Sequence, residues 1–165
     1  MHLLRIGDVV RVSPTAFSKV FAFGHRDQHA RSRFVRLVTA AGSAVELSPG
    51  HLIYANGVLR PAADVAVGDV LDHAAGSASA VVEVSSVVKA GLFNPHTLHG
   101  DVVVNGVVAS TFTTAVPLKV TRALLAVPRA LFRLGVSDPM FKAMDRGAPL
   151  WASAAVRRLT SAPVA

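Results

Sequence analysis

Apolar residues come in short runs along the first 115 positions, with turn-forming residues between them. Residues 6–12 form one run, closed by Ser13-Pro14, and residues 19–23 form another, followed by Gly24. Residues 34–39 alternate apolar and polar side chains and end at Ala40-Ala41-Gly42-Ser43. Residues 44–47 and 51–54 flank Ser48-Pro49-Gly50. Asn56-Gly57 then gives a hairpin signal, because both residues tolerate the positive φ of a tight two-residue turn. Residues 81–89 and 101–109 complete the series, the second carrying Asn105-Gly106. Short β-branched runs at this density predict an all-β domain over residues 1–116.

From Pro117 the pattern changes. Basic residues at 119, 122, 129 and 133 fall on one stripe at a helical repeat, and Val120, Leu124, Val127, Leu131 and Leu134 fall opposite it. This predicts an amphipathic helix over 119–134, kinked or split at Pro128 and stopped by Gly135. Residues 139–146 and 150–159 read as two further short helices, and 161–165 as a frayed end. Residues 117–165 therefore form a basic, partly helical extension.

Composition narrows the function classes. Hydrophobic residues make up 52% of the 165 and charged ones 16%, so a core is affordable and long disorder is excluded. No apolar run approaches the roughly 20 residues of a membrane-spanning helix, and residues 1–5 lack the apolar stretch of a signal peptide. There is no cysteine. That excludes disulfides, cysteine-ligated metals and a cysteine nucleophile within these residues. The net charge of +7 is uneven: residues 1–118 hold nine Lys/Arg against eight Asp/Glu, and residues 119–165 hold eight against two. The cationic character thus belongs to the extension, where anionic lipid, nucleic acid or an acidic partner could meet it.

One heptad recurs. Leu4-Arg5-Ile6-Gly7-Asp8-Val9-Val10 returns as Val65-Ala66-Val67-Gly68-Asp69-Val70-Leu71. A Gly-Asp between two apolar halves suits a tight bend, with Gly supplying the unusual backbone angle and Asp a local hydrogen bond. The second copy is entered through residues 55–61, an apparent strand and turn, and the first through Met1 to Leu3 alone. If the halves are equivalent, the first lacks its opening strand, which predicts a chain truncated at its N-terminus.

Three ordered stretches resemble the Hint domain, the self-processing module of hedgehog-type proteins and inteins, in its hedgehog branch. They are residues 4–10, the end of residues 34–52 at Leu47-Ser48-Pro49-Gly50-His51-Leu52, and residues 95–110, from Pro95-His96-Thr97 through Val107-Val108-Ala109-Ser110. The resemblance implies an all-β Hint fold, a disk with a pseudo-two-fold duplication, here with a short helical C-terminal extension. It also implies protein autoprocessing. A cysteine opening the domain attacks the preceding carbonyl to form a thioester, and a sterol, another alcohol or water then releases the upstream segment.

By the same resemblance Ser48 stands at the position of the family's threonine. His51 stands at that of the histidine that polarises the scissile peptide and protonates its departing nitrogen. His25 stands where animal hedgehog proteins have an aspartate that activates the sterol, and Thr111 where some relatives have a second cysteine. The implied catalytic set is His51, Ser48 and His25, with no cofactor. The implied substrate is the chain's own upstream segment, and the implied route secretory or extracellular. The nucleophile itself is expected upstream of Leu4, so this chain is expected not to process itself as written.

Plainer readings stand beside these. His51 could be a half-buried structural histidine, Ser48-Pro49-Gly50 only a turn, and His25-Arg26-Asp27 a solvated loop. His96 and His99 have metal-like spacing but no third ligand close in sequence, so no metal is assigned. Arg31, Arg33, Arg36 and Lys89 form no stripe with interleaved aromatics, which argues against nucleic acid. The 119–134 helix could pack on the β domain, lie on a membrane surface with its arginines toward phosphates, or help present a sterol. The competing function is a non-catalytic, Hint-derived module that binds a membrane or a protein.

Overall fold

The computed structural model describes residues 1–136 and 139–147. The expected elements at 150–159 and 161–165 lie outside the described residues. Nine strands follow one another: β1 (Val9–Arg11), β2 (Phe17–Thr39), β3 (Ala44–Leu47), β4 (His51–Ala55), β5 (Val58–Pro61), β6 (Val70–Asp72), β7 (Ala78–Thr97), β8 (Asp101–Val104) and β9 (Val107–Thr113). Among the described residues two α-helices, α1 (Leu118–Arg133) and α2 (Pro139–Asp145), follow the strands. The strands join in the order β1-β2-β7-β6-β4-β9-β8, with β3 added to β2 and β5 to β4. All pairings are antiparallel. This is the all-β architecture expected from the sequence.

The heptad repeat is structural. Gly7 and Gly68 take φ of 98° and 96°, angles that L side chains rarely adopt. The Asp8 carboxylate accepts from Arg5 N at 2.8 Å, and the Asp69 carboxylate from Ala66 N at 2.9 Å. Gly7 N donates to Val20 O and Gly68 N to Val81 O; Val20 N returns to Asp8 O and Val81 N to Asp69 O. Farther on, Val12 N donates to Ala16 O, as His73 N does to Ser77 O. The two-fold also exchanges partners across the halves, since Ala40 N reaches Ala80 O and Leu98 N reaches Lys19 O. A matching set of bonds on two separate stretches of chain is what a duplicated unit produces.

Two strands are longer than the hydrophobic pattern suggests. Residues 19–23 and 34–39 are the two ends of one 23-residue strand, β2, and Gly24 does not break it. Its middle is polar because it pairs with β7 as a two-stranded ribbon carrying little core. Register shifts between Phe23 and Arg26 and between Asp27 and Arg31 absorb the irregularity. Bulges of this kind bend a strand without ending it. The Asn56-Gly57 and Asn105-Gly106 turns form as expected, all four residues at positive φ, and split 101–113 into the β8–β9 hairpin.

Buried apolar side chains gather in two clusters. One holds Leu37, Val45, Ile53, Leu71, Val81 and Val107. The other holds Phe21, Phe112, Leu125, Phe141 and Met144, so both helices close it. α1 runs through Pro128 unbroken and ends in a Schellman cap, with Gly135 N on Phe132 O and Val136 N on Leu131 O. Its packing face is rotated from the one the sequence suggests: Leu124 and Leu131 pack on the second cluster as expected, but at its margin. Leu125 and Pro128 are the buried positions, while Val120, Val127 and Leu134 are exposed. Arg122 and Arg129 lie over the Phe112 and Phe21 rings, at 5.7 and 5.3 Å from the centroids. A guanidinium can face an aromatic ring and still reach water, so the seam beside the arginines packs inward.

Candidate functional site

Local chain geometry delivers three expected residues to one cavity. Ser48-Pro49-Gly50 forms a tight turn closed by His51 N on Ser48 O at 2.9 Å, which sets His51 at the first position of β4. Opposite it, β9 carries two extra residues between the partners of His51 (Thr113) and Ile53 (Ala109). The Ser110 carbonyl on that irregular stretch lies 2.7 Å from His51 Nε2. His25 sits on the β2 bulge between Phe23 and Arg26. His25, Ser48, His51 and Thr111 all line a cavity of about 250 Å³. Met1 lines it too, so the first residue of the chain shares this cavity with His51.

Electrostatics assign the state of each ring. A carbonyl oxygen only accepts, so His51 Nε2 carries a proton and Nδ1 is the ring's lone-pair nitrogen. Burial pushes the His51 pKa down from its usual value, and the Ser110 carbonyl opposes that shift. His51 is therefore neutral near pH 7 and can take up a proton and return it. His25 is exposed and makes no hydrogen bond to a described residue.

Sequence reasoning passed over two residues here. His96 is 4% exposed, and burial, with the nearby His51, Arg129 and His25, holds its pKa down to about 3. Its Nδ1 lies 3.4 Å from Thr111 Oγ1, whose own proton goes to the Gly100 carbonyl at 2.9 Å. Asn94 lines the cavity with a buried Oδ1 that has no partner. Both side chains press on Gly24: a Cβ there would meet Asn94 Nδ2 at 2.8 Å and His96 Nε2 at 3.2 Å. The signal available in the sequence was Gly24 beside His25, and Asn94-Pro95-His96 directly after the apolar Leu92-Phe93. No periodicity links them, because only the β2–β7 register brings them together.

The apolar walls of the cavity include Phe34, Leu92, Phe93 and Val102, and Glu46 and Lys89 line it as an ion pair at 2.6 Å. The His96–His99 spacing does not act as a unit: His99 turns outward to Asp101 at 3.0 Å. Among the described residues no group of three His, Asp or Glu is placed to hold a metal ion. Among them, too, no helix is long and apolar enough to cross a membrane.

Comparison with known proteins agrees with this geometry. The family described as the Hint module matches residues 1–134, through the end of α1. Warthog protein 6 of Caenorhabditis elegans is 31% identical over 122 residues, covering 65% of this chain and 20% of that protein. Warthog protein 1 of the same organism is 29% identical over 119 residues, 65% of this chain and 24% of that protein. The chain thus spans less than a quarter of the length of either relative. Among solved structures, the gp41-1 intein superposes with a TM-score of 0.59 at 12% identity, over 67% of this chain and 85% of that one. A bacterial intein-like domain from Clostridium thermocellum superposes with a TM-score of 0.54 at 19% identity, over 66% and 84%. At these identities the structures share the fold.

Proposed function

The chain belongs to the Hint family of autoprocessing modules, and from that premise we propose that the His51 cavity cleaves a peptide bond at the N-terminal side of the domain. The sequence holds no cysteine, so the attacking thiol is supplied from outside these 165 residues and the chain alone is inactive. The thiol sulfur bonds to the scissile carbonyl carbon and the C–N bond breaks. The thiol proton passes to the departing nitrogen, with neutral His51 taking it up at Nδ1 and returning it. The Ser48 hydroxyl holds the scissile amide.

In the second step a hydroxyl oxygen bonds to the thioester carbon and the C–S bond breaks. His25 accepts the hydroxyl proton, and the sulfur leaves as thiolate. A sterol or other alcohol gives an ester of the upstream segment; water gives its free acid. The same resemblance to the hedgehog branch supports a secretory route for this chain.

The observation that supports this reading is the convergence of His25, Ser48, His51 and Met1 on one cavity. A reporter segment ending in cysteine, fused ahead of Met1, tests it. Dithiothreitol is expected to release the reporter, and His51→Ala to slow release by about 10²–10⁴-fold. His25→Ala is expected to spare thiol-induced release and to slow transfer to an added alcohol. Release that is indifferent to His51→Ala overturns the role given to that ring. The competing non-catalytic binding module is favoured by the missing cysteine alone, and a fusion that never cleaves selects it.

A further inference from the structure

The packing of α1 leaves a surface that cleavage chemistry does not explain. Val120, Ala123, Val127, Ala130 and Leu134 recur at steps of three and four residues. At about 100° per residue they share an arc of roughly 80°. No polar side chain interrupts that seam. Val120 is 47% exposed, Val127 55% and Leu134 77%. From Val120 to Leu134 the seam runs about 21 Å. Single exposed valines are ordinary on a protein surface, whereas a continuous apolar strip facing water marks a contact surface.

The charges around the strip fix the kind of contact. Lys119 and Arg133 lie along one flank, and Arg122 and Arg129 extend the same side toward the rings they cover. No aspartate or glutamate occurs between Asp101 and Asp138. Of the readings the sequence allows for this helix, packing on the β domain holds for Leu124 and Leu131 but not for the valines. Two of the four cations turn to the β domain and the valines turn out.

We infer that this outward seam of α1 is a docking face for an anionic lipid surface. The valines and Leu134 would enter the headgroup boundary, with Lys119 and Arg133 at the phosphates beside them. A single convex ridge, apolar along its crest and cationic along one side, matches the plane of a bilayer interface. The basic flank selects anionic headgroups. The inference is independent of the cleavage reaction and stands or falls without it.

Flotation of the full chain with vesicles of phosphatidylcholine alone, or of phosphatidylcholine with phosphatidylserine, tests it. Binding is expected only with phosphatidylserine present and should weaken strongly between low and high salt. The Val120→Asp/Val127→Asp double variant is expected to lose about tenfold or more in partitioning. Its Tm should be unchanged, because both side chains are already exposed. Lys119→Glu/Arg133→Glu should lose a comparable amount, and Val82→Asp/Val84→Asp, at exposed positions of β7, should lose none. Three results overturn the inference: no binding of the unaltered chain to either vesicle, equal binding to both, or binding unchanged in Val120→Asp/Val127→Asp. The last would assign the contact to another part of the basic extension. If the Val82→Asp/Val84→Asp control loses as much as Val120→Asp/Val127→Asp, the α1 assignment is overturned as well.

Discussion

The Gly7-Asp8 turn and the Gly68-Asp69 turn carry the same backbone bonds, yet they are braced differently. Asp69 also accepts from Asn56 Nδ2 at 2.6 Å and lies 3.5 Å from Arg60 NH1, while Asn56 Oδ1 accepts from Val70 N. The β4–β5 hairpin thus clamps the second copy. Asp8, in the first copy, has the Arg5 bond without an equivalent clamp. Burial follows the same asymmetry: Leu71 is fully buried and its counterpart Val10 is half-buried. One copy is a rigid footing for the first core cluster. The other lies against the start of β2, with Ile6 packed on the second cluster. The two copies of the duplicated turn thus differ in both bracing and burial.

The largest expected break in this comparison is in the cores. Leu71→Ala should cost about 3 kcal/mol, because a full side-chain cavity opens in a closed cluster. Val10→Ala should cost about 1 kcal/mol. Urea denaturation of both variants checks the difference, and equal losses would show that the halves are energetically alike.

Acid sharpens the comparison next. Thr39 and Thr97 occupy equivalent places after the exchanged Ala40 and Leu98 bonds, so His96 stands where the other half has Val38. With its pKa held down to about 3 in the folded chain, His96 stays neutral as pH falls while the unfolded chain gains a proton below about 6.5. Stability therefore declines as pH falls from about 6.5 toward 3, and about 2 kcal/mol is lost between pH 7 and 5 through this ring. His96→Val, which copies the other half, should remove that part of the acid slope. The depressed His51 adds a loss of the same sign that both proteins share.

The smallest effect concerns the turns themselves. Asp69→Ala should lower Tm by several degrees more than Asp8→Ala, since the former also releases Asn56 and Arg60. Backbone donors at Ala66 and the Asn56 amide hold the Asp69 carboxyl below its usual pKa. Its contribution is therefore present at neutral pH and fades as pH falls through that depressed value. A Tm difference that does not shrink at all as pH falls below the usual carboxylate range would refute this.

Much of the site was legible because its residues lie beside local signals. Ser48 and His51 flank a Ser-Pro-Gly turn, and His25 follows Gly24. The heptad repeat reported the two-fold without any coordinates. Asn94 and His96 were not legible as site residues, because their proximity to Gly24 and His51 depends on which β7 residue faces which β2 residue across two register shifts. The length of β2 was hidden for a related reason: a two-stranded ribbon with little core beneath it needs no apolar alternation.

The sequence by itself determined the strand-rich class, the Gly-Asp bends, the Asn-Gly hairpins and the place where α1 stops. These depend on backbone preferences of one to four neighbouring residues. Tertiary structure alone decided which seam of α1 turned inward: Leu118, Leu124, Leu125, Leu131 and Phe132 pack on the second cluster, and Arg122 and Arg129 at its edge cover the Phe112 and Phe21 rings. It also decided that His25 and His51, distant along the chain, would line one cavity, with His96 buried against Thr111 behind it. Long-range register and the shape of the surface beneath a helix are properties of the assembled sheet, and no local pattern encodes them.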